Sequence, residues 1–167
     1  MLWTLLAILA TEPALAGEKP VKCSWKGEAV DPFTGKDGRW MNITYFFTHG
    51  LTFRRPVDGA VPVEVRLTEA GMTTNVVDKP VMFLLADGSV IEMPVKPTAA
   101  PTHGSSGYGV STFHTAAGTL PMDALQKFVD VGLSRIRFPV PGQEWTRELD
   151  KGDMKDITTI SRCLLQP

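Results

Sequence analysis

Histidine is scarce in this chain, cysteine is scarcer, and a long apolar run is missing everywhere except at the start. The 167 residues hold three histidines (His49, His103, His114) and two cysteines (Cys23, Cys163). No His-Glu-x-x-His run, no histidine pair four residues apart and no cysteine cluster occurs, so ligand spacing supports no metal site. A serine-nucleophile elbow is missing too. Gly104-Ser105-Ser106-Gly107 has the wrong spacing and enters a strand, whereas the elbow joins a strand to a helix. The same segment lacks the Lys-Ser/Thr that completes a phosphate-binding loop. No catalytic, cofactor-binding or metal-binding residue is therefore assigned, and no cofactor is expected.

Excess charge is also lacking. There are 17 basic and 18 acidic residues, a formal net charge of −1. An interspersed, near-neutral chain lacks the basic footprint that nucleic acid requires and the polybasic patch that an anionic membrane attracts. No nucleic-acid partner is expected.

What is present begins with residues 1–10, which are almost wholly apolar. Pro13 follows, and Ala14-Leu15-Ala16 has the small-x-small form of a signal-peptidase site. The stretch is shorter than the roughly 20 residues of a spanning helix. Residues 1–16 read as a signal peptide cleaved near Ala16, although no Lys or Arg precedes the apolar run. An uncleaved apolar anchor is the alternative. The mature chain, 17–167, would form a single globular domain in the periplasm or the extracellular space. It loses Glu12 with the signal and balances 17 acidic against 17 basic residues. No later segment is long and apolar enough to span a membrane.

In an oxidising compartment two cysteines pair by default, so a disulfide is expected between Cys23 and Cys163. Closing a loop of that length contributes about 5 kcal/mol by the chain-entropy argument. Cys23 lies seven residues beyond Ala16, which does not suit a lipid-anchor site.

The strongest local pattern is a β-hairpin over 81–95: an apolar run, Asp87-Gly88, then an alternating run. Asp-Gly suits a two-residue type I′ turn, which needs φ > 0 at both positions. The run 81–86 is apolar on both sides and belongs at a sheet centre. Val61, Val63, Val65 and Leu67 alternate with Pro62, Glu64 and Arg66, which predicts a strand with one wet face. Pro62 suits a strand start or an edge. Further strands are expected over 40–48, with a bend at His49-Gly50, and over 73–77, 108–115 and 133–140. Residues 143–149 are ambiguous. Residues 96–107, rich in Pro, Thr, Ala, Ser and Gly, read as one mobile loop.

Two helices complete the reading. Thr119 is expected to cap the first, over 121–131, with Met122, Leu125, Phe128 and Val129 as its apolar face. The second, over 152–165, places Met154, Ile157, Ile160 and Leu164 on one stripe. Strands first and helices late predict an α+β fold: a mainly antiparallel sheet of about five to seven strands with two helices on one face.

Asp31, Thr34 and Asp37 lack the calcium-loop pattern and are better explained as turn residues. Asn42-Ile43-Thr44 matches a glycosylation sequon by chance. Glu64, Glu92, Glu144 and Glu148 are better explained as solvated residues than as a hydrolytic pair, with Glu64 and Glu92 on neighbouring strands. Arg66, Arg135 and Arg137 are expected in weak cross-strand ion pairs. Trp25, Trp40 and Trp145 suit packing better than a carbohydrate surface, and His114 is expected on the exposed sheet face. The expectation is a small exported domain with a non-catalytic role, binding a protein or a small ligand through its sheet face or the 96–107 loop. The alternatives are an exported hydrolase assembled in space from carboxylates or histidines, and a structural envelope component.

Overall fold

The computed structural model describes residues 21–27, 37–45, 49–70, 79–106, 109–139 and 145–166. The signal-peptide segment 1–16 and the strand expected over 73–77 lie outside the described residues.

Alternation organises the first part of the chain into β1 (Trp40–Tyr45), β2 (His49–Arg54) and β3 (Ala60–Ala70). Tyr45 pairs with His49, so His49-Gly50 begins a strand and is not the expected bend. β3 carries Val61, Val63, Val65 and Leu67 into the core, as its alternation predicts. Its pairing with β2 stops at Val63, one residue short of Pro62, which is where a residue without an N–H fits.

The hairpin follows as β4 (Val81–Leu85) and β5 (Val90–Met93). Its turn differs from the expected one. Leu84 pairs with Val90, Leu85 N–H donates to the Ser89 carbonyl, and Gly88 N–H donates to the Leu85 carbonyl. The loop therefore has three residues, Ala86, Asp87 and Gly88. Only Gly88 has a positive φ, at 86°, so the turn is a type I turn closed by a glycine bulge. Asp87 instead accepts hydrogen bonds from the Ser89 N–H (2.9 Å) and hydroxyl (2.7 Å).

Past Pro94 the chain changes sheets. β6 (Val95–Pro97), β7 (Thr102–Ser106) and β8 (Gly109–Pro121) join β3. The expected mobile loop is thus largely an edge of the sheet: β6 and β7 both pair with β8, at 116–118 and 109–113. β8 runs to Pro121, which pairs with Ala60. The first helix, α1 (Met122–Asp130), follows at once, with Pro121 at its N-cap and no side-chain cap. Thr119 lies inside the strand. β9 (Leu133–Phe138), β10 (Trp145–Glu148) and α2 (Lys151–Leu165) complete the fold. Asp150 caps α2 in a capping box with Asp153.

The described strands form two antiparallel sheets where one was expected. One has the order β1-β2-β3-β8-β6, with β7 also on β8; the other has the order β10-β9-β4-β5. Strand alternation says which face is wet but not which partner a strand takes, and that is why one sheet was expected. Gly118 makes the crossing possible: a Cβ there would lie 2.6 Å from the Pro94 carbonyl and 3.0 Å from Met93 Cγ.

The inner faces of both sheets and the apolar faces of both helices share one core cluster. Phe128 of α1 meets Phe83 of β4 at 5.2 Å between ring centroids. Ile157, Ile160 and Leu164 of α2 are buried beside Cys163. Cys163 forms the disulfide to Cys23 across 140 residues of sequence. Asp37, one of the residues weighed for calcium, is occupied by Arg39 and Arg55. The hydrogen bond from Arg39 holds its carboxyl at about 2.

Candidate functional site

The six-stranded sheet buries one face and turns the other outward. Register decides which side chains share the outward face. Trp40 pairs with Arg54, Asn42 with Thr52 and Thr44 with Gly50. Thr52 pairs with Glu64 and Gly50 with Arg66. Arg66 pairs with Thr115 and Thr68 with Phe113. These residues line a cleft of about 450 Å³. Gly50 lies in the middle of it, where the missing side chain leaves a depression. A Cβ at Gly50 would come within 2.9 Å of the Ile43 carbonyl.

Polar contacts organise the cleft. Arg66 Nε donates to Glu64 Oε1 at 2.8 Å, and Arg54 Nη2 lies 3.9 Å from Glu64 Oε2. Lys26 Nζ donates to Asn42 Oδ1 at 2.8 Å and lies 5.1 Å from the Trp40 ring centroid. Asn42 Nδ2 in turn donates to Thr44 Oγ1 at 3.1 Å. Phe113 is 46 % exposed, and its ring lies where a Cβ on Gly104 would be, 2.9 Å from Cε2. The floor thus offers neutral hydroxyl and amide groups, with an Arg-Glu-Arg group along it and an aromatic ring at two corners.

By register the three histidines share the inner side of this sheet, His49 and His114 buried and His103 exposed on the edge strand β7. His114 follows from parity: Leu120 and Ala116 point inward, and 114 and 112 follow. The expectation that His114 sits on the exposed face is therefore corrected. His114 Nε2 lies 3.4 Å from Glu69 Oε2, with the two side chains 3 % and 16 % exposed. One row further along the strands, His103 Nδ1 lies 3.0 Å from Thr112 Oγ1. His49 stacks on Trp145 with ring centroids 4.2 Å apart and planes 9° apart. Burial pushes its pKa below the ordinary value. Among the described residues no group of three or more His, Cys, Asp or Glu could hold a metal ion.

The other residues weighed in the sequence are scattered. Glu92 lies on β5 and Glu64 on β3, in different sheets, so they are not on neighbouring strands. Glu148 pairs with Arg135 at 2.9 Å, one of the expected cross-strand ion pairs. Glu144 lies outside the described residues. Trp145 is a packing residue against His49 and Phe138, and Trp25 lies under Arg39 and Arg55. Sequence reasoning missed Arg54, Thr52, Thr68, Thr115 and Phe113. The signal was the polar set at every second strand position, which becomes a surface only once the strand order is known. Comparison of the chain with protein-family models, with curated proteins and with solved structures gives no match.

Proposed function

We propose that the protein is an exported, non-catalytic binding domain that takes its ligand on the outer face of the six-stranded sheet. The observation that carries this reading is the cleft of about 450 Å³, a volume within the range of small-ligand sites. Its outward side chains are hydrogen-bonding and aromatic groups, with one carboxylate already engaged by two arginines. Export is supported by the apolar 1–16 segment and by the Cys23–Cys163 disulfide, a bond that oxidising compartments preserve. No described helix is long and apolar enough to cross a membrane.

The test is a broad screen of glycans and small polar compounds against the wild type and Thr44→Trp. Thr44 is exposed and directly opposite Gly50, so an indole there covers the depression without entering the core. The expected result is a ligand class that the wild type retains and the variant loses, with an unchanged melting temperature. Equal binding of every hit by both proteins sinks the reading.

A second reading, an exported hydrolase, is favoured by one observation: on the inner side of the sheet a histidine lies beside a carboxylate, His114 with Glu69. Against it, the pair is nearly closed to solvent. Thr112, the neighbouring hydroxyl, is fully buried and cannot meet a substrate. Turnover of p-nitrophenyl esters or glycosides that disappears in His114→Asn would favour the hydrolase.

A further inference from the structure

Resting on the sheet-face reading, we propose that the ligand is an acidic polysaccharide, with its carboxylates on Arg54 and Arg66 and its sugar rings along the cleft. The chain as a whole carries a net charge of −1, yet its charges are not evenly spread. Outward positions of the six-stranded sheet hold Arg54, Glu64, Arg66 and Lys96, and Lys26 reaches over the same face to Asn42. Among the described residues that is four cations and one carboxylate, a local charge of +3. Such a face attracts polyanions while the rest of the molecule does not.

The arginines are poised for a second acceptor. Arg66 engages Glu64 through Nε alone, and its side chain is 72 % exposed; that of Arg54 is 49 % exposed. Their remaining guanidinium hydrogens suit a carboxylate. Between them, Thr44, Thr52 and Asn42 supply the neutral partners that sugar hydroxyls use. From β1 to β8 the cleft crosses three strand spacings, about 14 Å, which suits an extended polymer better than a lone small anion. Nucleic acid fits less well, because successive bases need successive open aromatic faces, and with Lys26 over the Trp40 ring the cleft keeps Phe113 alone as an exposed ring among the described residues.

The test is calorimetric titration with polygalacturonate oligomers, with the same oligomers methyl-esterified, and with a thymidine oligonucleotide of equal charge. The acidic oligomer is expected to bind. Its affinity should fall with added salt, and by about tenfold or more in Arg66→Gln, the loss of one charge-assisted hydrogen bond. The exposure of Arg66 keeps the variant folded, which its melting temperature checks. Equal binding of the esterified oligomer, lost in Thr44→Trp, overturns the acidic assignment and leaves the sheet-face reading intact. Tighter binding of the oligonucleotide, or no effect of Arg66→Gln, also overturns it. Failure of all three probes overturns it and returns the cleft to the wider screen.

Discussion

Burial disfavours the charged form of the His49 ring, and this has a consequence for pH. It is 7 % exposed and stacked on Trp145, and burial lowers its pKa from the ordinary 6.5. The unfolded chain protonates this ring below 6.5 while the folded chain resists, so unfolding takes up a proton there. Stability is therefore expected to fall as pH drops below 6.5. His49→Phe keeps an aromatic ring on Trp145 and removes the titration. The difference between wild-type and variant unfolding free energies should be flat above that pH and decline below it; parallel profiles would contradict the assignment. Gly118 makes a different kind of demand. A Cβ there meets backbone, the Pro94 carbonyl at 2.6 Å, which cannot move aside as a side-chain tip can. Gly118→Ala is expected to cost about 1–3 kcal/mol in urea unfolding, and an unchanged midpoint would show that the crossover yields. Neither effect was legible beforehand. One depends on which ring stacks on His49 and the other on which chain crosses β8.

At the scale of elements, local chemistry was read more successfully than partnership. β3, β4, β5 and β9 and both helices lie close to where alternation and helical spacing put them. Local patterns act over a few residues, and these elements bury the faces their patterns mark. The β4–β5 hairpin shows the limit. Asp-Gly pointed to a turn, but the register adds a third loop residue and leaves only Gly88 at positive φ. Nothing lies within 4 Å of a Cβ built on Gly88, so Gly88→Ala tests the backbone alone. A loss of about 1–2 kcal/mol is expected from the left-handed conformation, measured by thermal unfolding. No loss would mean that the turn relaxes to another type. The 96–107 segment failed as a loop for a related reason. Its Pro, Gly and Ser content resembles a linker, yet β8 supplies an edge for it to pair with, and an edge strand tolerates such residues.

At the scale of the molecule, the disulfide ties the segment before β1 to the last helix. Cys23 and Cys163 lie 140 residues apart, and closing that loop restricts the unfolded chain by about 5 kcal/mol. The Cys23→Ala/Cys163→Ala double variant is expected to lose a large part of that in denaturant unfolding. Mass analysis of the unreduced wild type should find no free thiol, and two free thiols would refute the bridge. By itself the sequence determined the α+β class, the buried faces of β3 and β9, the stripe of α2 and the cysteine pair. Each of these follows from alternation, helical spacing or the existence of only two cysteines. Only the tertiary structure decided that the strands divide into two sheets, that His114 turns inward to Glu69, and that Arg54, Arg66, Gly50 and Phe113 meet on one cleft. Those outcomes depend on register and strand order, which arise from contacts between segments far apart in the chain.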